Sequence, residues 1–349
     1  MLLNARDFVR QKLRNMDSWG QSWVPARGPV RLLFLLYVCW KAILLAVILC
    51  SPGPGYDTST TLLDLTDSIP NHQTGLLSSS PTLSPSLLKL VRWDAIYFSQ
   101  LSHRGHVFEQ EWAFGVGLSG TVSFISTCKR TLAQALNFTN FAVISRSTGA
   151  SSALVEISVA VVLSHFTHFL TVLLLYALSQ LISRSYRDSS TATSTIAAAL
   201  HIISPAGAFL SAPYSESLFS TLNFLGLYLY LNGHITGGGL GDFETVVAGV
   251  CFGCATLVRS NGILGGLLFL YDVVLQSLRL LRDGISTKRV RRLLALGAGG
   301  VLIALGALSP QYKAYKKFCD DAVEQDRRPW CDSQFPSIYG WVQRHYWFV

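Results

Sequence analysis

The sequence predicts an all-α polytopic membrane protein, and three observations support that fold class. Half of the 349 residues are hydrophobic and 14 % are charged, whereas soluble domains carry about 25 % charged residues. The mean hydropathy is +0.37. The apolar runs are long and continuous, and because lipid cannot pair backbone polar groups, we expect helices rather than open strands.

Seven apolar segments predict about seven transmembrane helices, although several are shorter than the roughly 20 residues that a bilayer requires. They are residues 32–49, 157–182, 196–210, 218–231, 243–258, 263–281 and 293–308. Lys41 interrupts the first segment, and because a charge in lipid is costly, we expect it to face the bundle interior. Residues 118–136 are less apolar and contain Lys129 and Arg130, which predicts a re-entrant or surface helix.

Basic residues orient these segments, because cytosolic loops are enriched in lysine and arginine. The N-terminus, the turn at Arg184 and Arg187 and the basic residues 279–292 share one side if the spans alternate. We therefore predict five segments. They are a cytosolic basic N-terminus (1–31), a first transmembrane helix (32–49), a large first luminal loop with interfacial or re-entrant helices (50–152), a transmembrane bundle (153–308) and a luminal segment (309–349).

The stretch Val91–Phe98 places one carboxylate, Asp94, among aromatic residues on the predicted luminal loop. One interpretation is an interfacial helix, because aromatic and charged residues collect at membrane surfaces. The other is an active site on a connecting loop, where enzymes often hold catalytic groups. Three breaks fall on the same predicted side, at Ser211–Ser217, at Arg259–Gly262 and in the tail. Each break alone is most simply a turn, but their convergence favours a site.

Several motifs, in order along residues 92–347, resemble the GPI mannosyltransferase 2 family, in its fungal branch. They are Trp93-Asp94-Ala95-x-Tyr97-Phe98, Gly105-x-x-x-Glu109-Gln110-x-x-Ala113-Phe114, Ser204-Pro205-Ala206, Tyr214-Ser215-Glu216-Ser217-Leu218-Phe219, Arg259-Ser260-Asn261-Gly262, Pro329-Trp330-Cys331, Pro336-x-Ile338-Tyr339 and Tyr346-Trp347. Each motif alone is modest, but the ordered set is specific.

The resemblance implies a GT-C type glycosyltransferase of the endoplasmic-reticulum membrane. Such an enzyme transfers mannose from dolichyl phosphate mannose to a GPI-anchor precursor, as the second mannose in α-1,6 linkage. The family class carries an acidic residue on the first luminal loop, the position that Asp94 occupies. With inversion at the sugar, this carboxylate would act as general base on the acceptor hydroxyl. Arg259 would stabilise the leaving lipid phosphate.

The same motifs imply substrate-binding residues. These are Trp93, Glu109, Gln110, Tyr214, Glu216, Arg259, Asn261 and Trp330. Two departures from the family pattern stand beside them. Gly115-Val116-Gly117 replaces the family's Phe-Phe-Pro, and this chain ends two residues after Trp347, where the family continues with further membrane helices. We therefore expect a C-terminally truncated member whose activity needs testing.

No Asp-x-Asp triplet occurs in residues 50–152, which disfavours a metal-bound nucleotide-sugar donor. We expect no cofactor and no metal. The expected partners are the membrane, the lipid-linked sugar donor and the GPI precursor, with a small membrane partner subunit left open and no nucleic acid. Two other function classes stay open, a transporter and a non-catalytic membrane subunit. A transporter predicts paired broken helices, and Pro205 marks one such helix without a matching half.

Two covalent features are predicted on the luminal side. Asn137-Phe138-Thr139 is a glycosylation sequon, which is used only if it faces the lumen. Cys319 and Cys331 both fall in the luminal tail, where an oxidising compartment allows a disulfide, although two free thiols remain an alternative. The other five cysteines lie in or beside apolar segments. The closed loop would present Trp330 near the membrane surface, where a substrate lipid must enter.

Overall fold

The computed structural model describes residues 27–52, 85–135, 152–185, 191–320 and 328–347, and within these ranges the chain forms helices and no β-strand. The α-helices of nine residues or more are α1 (Arg27–Cys50), α2 (Asp94–Arg104), α3 (Val116–Ala135), α4 (Ser152–Ser185), α5 (Thr191–Ile202), α6 (Glu216–Thr236), α7 (Gly238–Val258), α8 (Gly266–Asp283), α9 (Thr287–Tyr315) and α10 (Ile338–Tyr346). Short 3-10 turns cover Glu109–Ala113, Ser260–Gly265 and Pro329–Asp332. The all-α class is confirmed.

Five helical segments of the described chain are long and apolar enough to cross a membrane. They are Gly28–Cys50, Val155–Ser183, Gly238–Val258, Ser260–Asp283 and Thr287–Asp320. They contain five of the seven spans predicted from the sequence, with ends that extend further than the apolar runs. A chain with several such helices is a multi-pass membrane protein.

The other two predicted spans differ in the structure. Residues 196–210 are helical only to Ile202, as part of the 12-residue α5, and about 18 Å of helix is too short for a bilayer core of about 30 Å. Pro205 lies just beyond, where its missing amide and its ring oppose a continued helix. Residues 218–231 belong to α6, whose 21 residues are long enough but include many polar side chains.

The predicted helix at 118–136 is present as α3 and is not among the five segments that could span a membrane. Its buried residues, among them Leu118 and Val122, join a core with Ala95 and Phe98 of α2 and Ile157 of α4. This core holds the helices of the predicted luminal loop against the bundle. The boundaries of the luminal and cytosolic segments stay predictions, and Asn137 and Arg187 lie outside the described residues.

The helices α6 to α9 alternate in direction. Glu216 at the start of α6 pairs with Arg259, which follows α7, so α6 and α7 run antiparallel. Arg292 near the start of α9 pairs with Asp242 near the start of α7 at 3.4 Å. These two helices therefore run parallel, with α8 returning between them. The breaks after α5 and α7 consequently lie at the same end of the bundle.

The irregular segment between α5 and α6 is held by polar side chains from other helices. Lys41 of α1 is 5 % exposed and donates to the Leu210 carbonyl at 2.9 Å and to the Ser211 hydroxyl at 2.7 Å. Ser164 of α4 donates to the Ala212 carbonyl at 2.8 Å. Irregular backbone inside an apolar bundle persists only where the protein satisfies its polar groups. The expectation that Lys41 faces the interior is confirmed.

The tail after α9 folds into a small core of its own. Its buried members are Ala314, Cys319, Trp330, Cys331, Ile338 and Val342. Cys319 and Cys331 form a disulfide with their Cα atoms 5.6 Å apart. Trp330 is 4 % exposed, so the loop buries this indole rather than presenting it, and its place near the membrane surface stays a prediction. Packing against Trp112 and Ala113 ties the tail to the first loop and draws the ring inward.

Glycines allow α7 and α9 to approach closely. A Cβ atom added at Gly306 would lie 2.3 Å from the Gly253 carbonyl oxygen, and one at Gly249 would lie 2.4 Å from the Cα atom of Gly299. Small residues at helix interfaces are a main source of helix association in membranes, because they let backbones approach and pack. Gly297, on the same α9, has nothing within 4 Å of such an atom.

We predict that Gly306→Ala destabilises the protein, because the clash is with backbone and the helices must move apart. Gly297→Ala is the matched control. Alanine is better than glycine by about 1 kcal/mol in a helix interior, so this variant should be equally or more stable than the wild type. Thermal unfolding in detergent measures both. Equal melting temperatures for the two variants would contradict the close packing.

We predict that Cys319 and Cys331 resist alkylation until the protein is reduced. Mass spectrometry of the chain, alkylated with and without reductant, measures the modification of each cysteine. Cys331→Ser should lower stability, since closing a loop of this size contributes about 3 kcal/mol in the chain-entropy estimate. Recovery of both residues alkylated without reductant would exclude the bond. Cys128, exposed and free, provides the internal control for reagent access.

Candidate active site

Asp94 is the first residue of α2 and is exposed. A carboxylate in the first turn of a helix is favoured by the unpaired amides and the dipole of that end. The opposite face of α2 is buried through Ala95, Phe98 and Leu101. The apolar face therefore fixes the helix on the bundle, while Asp94 remains accessible at its start.

Trp93, which precedes Asp94, has an unusual backbone. Its φ is +50°, the one positive φ of a non-glycine residue in the described chain, and such conformations cost about 1–3 kcal/mol. The turn is held through Arg92, whose carbonyl accepts from the Tyr214 hydroxyl at 2.8 Å and from the Ala95 amide at 3.1 Å. Residues strained in this way cluster at active sites.

Aromatic rings surround the start of α2. The Trp93 indole, 51 % exposed, stacks on Phe209 with centroids 6.0 Å apart. Phe209 in turn meets Tyr214 edge-on at 4.9 Å. On the next turn of the helix, Tyr97 stacks on Phe114 at 4.7 Å. Asp94 therefore lies between two stacked aromatic pairs.

Arg259 and Glu216 form an ion pair where α7 ends and α6 begins. The Arg259 guanidinium also donates to the Ser215 hydroxyl at 3.2 Å. Oε2 of Glu216 is buried and has no hydrogen-bond partner among the described residues. Asn261 is exposed on the 3-10 turn after Arg259. The two helix breaks thus contribute a cation, a carboxylate and an amide to one place.

Electrostatics distinguishes the two carboxylates. The protein surrounding Asp94 partly desolvates its carboxylate, and this raises its pKa above the ordinary value; the nearby Glu216 raises it further, and Arg259 partly offsets both effects. Glu216 is paired directly with Arg259. A carboxylate with a raised pKa is a stronger base.

Glu109 organises a second cluster between the first loop and the tail. This carboxylate is 5 % exposed and accepts from the Trp330 indole at 2.9 Å and from the Tyr346 hydroxyl at 3.2 Å. Arg328 lies 3.4 Å from it. A buried carboxylate with three partners fixes the segments that supply them, because removing any partner leaves a charge uncompensated.

Glu111 performs a similar task within the first loop. It is 1 % exposed, pairs with Arg104 and accepts from the amides of Val107 and Phe108 at 2.7 and 2.9 Å. Burial alone would raise the pKa of Glu111, but the hydrogen bonds from Arg104 and the two amides lower it below its usual range. The ionised Glu111 therefore holds the turn after α2 in place.

The structure brings most of the sequence-predicted site residues together. One group contains Trp93, Asp94, Tyr214, Glu216 and Arg259, with Asn261 on the adjoining turn. Glu109 and Trp330 form the separate buried cluster, where they bond to each other. Gln110, half-buried in the 3-10 turn that begins at Glu109, belongs to neither group. A substrate-binding role for each of these residues stays a prediction.

Sequence reasoning missed Phe209 and Ser215 as members of the site. Phe209 lies in a segment that the sequence predicted as a membrane helix, where a phenylalanine signals only packing against lipid. Ser215 was quoted within a motif but was given no role. The signal available for both was proximity in the chain to Tyr214 and Glu216, once the helix is known to end at Ile202.

No group of three or more histidine, cysteine, aspartate or glutamate side chains in the described ranges is arranged to hold a metal ion. The polar groups around Asp94 are instead suited to a substrate with hydroxyls and an anionic group. Carboxylate oxygens accept from hydroxyls, and a guanidinium binds phosphate.

Comparison with known proteins adds the identity of the chain's relatives. The family described as "Mannosyltransferase (PIG-V)" matches residues 31–349. A "GPI mannosyltransferase 2" of Aspergillus oryzae is 41 % identical over 92 % of this chain and 67 % of its own length. That of Aspergillus fumigatus is 40 % identical over 95 % and 64 %, and that of Chaetomium globosum is 37 % identical over 92 % and 69 %.

The chain spans about two thirds of the length of these curated relatives. No solved structure matches it. The family match covers most of the chain, including four of the five helices that could span a membrane, all but the first three residues of the other, and every residue of the candidate site. The chain therefore belongs to the mannosyltransferase (PIG-V) family.

Proposed function

We propose that this chain transfers mannose from dolichyl phosphate mannose to a GPI-anchor precursor, as the second mannose in α-1,6 linkage. The reaction takes place at the luminal face of the endoplasmic-reticulum membrane, with the N-terminus of the chain in the cytosol. The observation that carries the proposal is the grouping of Asp94 with the Arg259–Glu216 pair at one end of a membrane bundle. The names of the relatives support the acceptor class.

The proposed chemistry is a single displacement with inversion at C1 of mannose. Asp94 removes the proton from an acceptor hydroxyl as its oxygen forms the new bond to C1. The bond from C1 to the phosphate oxygen breaks on the opposite face, and its electron pair leaves with dolichyl phosphate. A general base of this kind contributes about 10²–10⁴-fold to the rate.

Arg259 is suited to the leaving group. A guanidinium presents several N–H donors in one plane, which matches the oxygens of a phosphate. Its existing bonds to Ser215 and Glu216 fix it before substrate arrives, so no reorganisation is needed when charge develops. In this ion pair the positive charge of Arg259 compensates the negative charge of Glu216. Asp94 does not share this direct pairing.

We predict that Asp94→Asn lowers mannosyl transfer at least about 100-fold, because an amide cannot accept the proton, with unchanged protein level. Transfer is measured in microsomes of a strain lacking the second GPI mannose. The GPI mannosyltransferase 2 of Aspergillus oryzae serves as the positive control. Asp283→Asn, at the opposite end of α8 and exposed, serves as the matched control and should retain activity. Normal transfer by Asp94→Asn would remove the residue from the mechanism.

We predict opposite shifts of the acidic limb of the pH–rate profile in two variants. The wild type should lose activity as pH falls through the raised pKa of Asp94, above the ordinary value of about 3.9. Glu216→Gln removes a repelling charge and should move this limb to lower pH. Arg259→Gln removes an attracting charge and should move it to higher pH. Limbs that stay fixed in both variants, or shift in the same direction, would contradict the assignment of Asp94 as base.

The same raised pKa has a defined sign for stability. The folded protein binds the Asp94 proton more tightly than the unfolded chain does. The contribution of this group is therefore most favourable below the unfolded pKa and is lost as pH rises through the folded pKa. A catalytic carboxylate that costs stability when ionised is consistent with a site shaped for function rather than for folding.

A further inference from the structure

Trp93 combines three features that packing alone does not explain. Its backbone has a φ of +50° although glycine, not tryptophan, suits that region. Half of its indole remains exposed. It also directly precedes Asp94, the candidate base. A large aromatic side chain that serves only the core would be buried with relaxed backbone geometry.

The Trp93 indole is supported by residues of the break between α5 and α6. Phe209, from the break after α5, stacks beneath Trp93 at 6.0 Å. Tyr214 meets Phe209 edge-on at 4.9 Å, and its hydroxyl reaches back to the Arg92 carbonyl at 2.8 Å. These contacts link the three rings to the backbone of Arg92, and together they hold both the indole and the strained turn in place.

We propose that the Trp93–Phe209 pair is the platform for the hexose ring of the lipid-linked donor. One face of a pyranose consists mainly of C–H groups and can pack on the apolar face of an exposed indole. The polar N–H edge of the indole stays accessible to hydrogen-bond partners. A sugar on this platform has its hydroxyls beside the exposed carboxylate of Asp94. Its phosphate then lies toward Arg259. The left-handed turn keeps the ring beside the reacting carboxylate.

This inference rests on the proposed function and names the donor subsite within it. The alternatives are that the platform binds the acceptor glycan, or that the indole has only a structural role. These three possibilities differ in which Michaelis constant changes and in how stability responds. Substitutions at one position can therefore distinguish them.

The experiment compares Trp93→Phe, Trp93→Ala and Trp93→Gly in the full chain. Removing the ring should raise KM for dolichyl phosphate mannose about three- to tenfold in the alanine and glycine variants, the range expected for one aromatic contact. The KM for the acceptor should stay unchanged. Trp93→Phe keeps a smaller ring and should raise the donor KM less than the alanine and glycine variants do. The glycine variant should melt at a higher temperature than the alanine variant, because a positive φ strains the backbone of alanine but not that of glycine.

A binding measurement separates this inference from the proposed function. Tryptophan fluorescence of the purified chain in detergent is titrated with dolichyl phosphate mannose and with dolichyl phosphate, which lacks the sugar. The sugar-dependent change should be present in the wild type and absent in Trp93→Phe, whether or not the preparation transfers mannose. An unchanged donor KM in the glycine variant, or a rise in the acceptor KM alone, would overturn the assignment. A loss of stability without any change in KM would mean a structural role only.

Discussion

The site depends on an irregular backbone segment that has to survive inside an apolar bundle. The carbonyls of Leu210 and Ala212 have left the helical ladder, and lipid offers them no partner. Lys41 and Ser164, from two other helices, donate to these carbonyls. A buried cation among carbonyl and hydroxyl dipoles is costly to desolvate, but it fixes one conformation of the segment. That conformation brings Phe209, Tyr214 and Glu216 to the start of α2.

The four acidic residues Asp94, Glu109, Glu111 and Glu216 have different environments. Glu109 and Glu111 are buried, fully partnered and structural in their contacts, because they tie the tail and the turn after α2 to the bundle. Glu216 is neutralised by Arg259. Asp94 is the exposed acid of this group, and desolvation by the surrounding protein raises its pKa. The proposed reaction requires an accessible base, and among these four acids Asp94 is the exposed one.

The helix packing explains how such a site can stay open in a membrane. The helices α7 and α9 approach through Gly249, Gly253, Gly299 and Gly306, which brings their backbones into contact. Close backbone contact supplies dispersion energy without large side chains. The rigid α6–α9 bundle can therefore carry breaks at one end. The first loop and the disulfide-linked tail are joined by the bonds of Glu109 and by the packing of Trp112 and Ala113 on the core of the tail.

The sequence by itself determined the fold class and most of the membrane helices, because apolar length and composition report directly on what lipid requires. The group of motif residues came from the resemblance to a known family. The sequence also singled out Asp94 from its neighbours in the chain. The tertiary structure decided what periodicity cannot encode. It ended α5 at Ile202, buried Trp330 against Glu109, placed Phe209 beneath Trp93 and paired Arg259 with Glu216. Each of these depends on contacts between residues far apart in the chain, and no local pattern specifies which side chain will satisfy a given buried polar group.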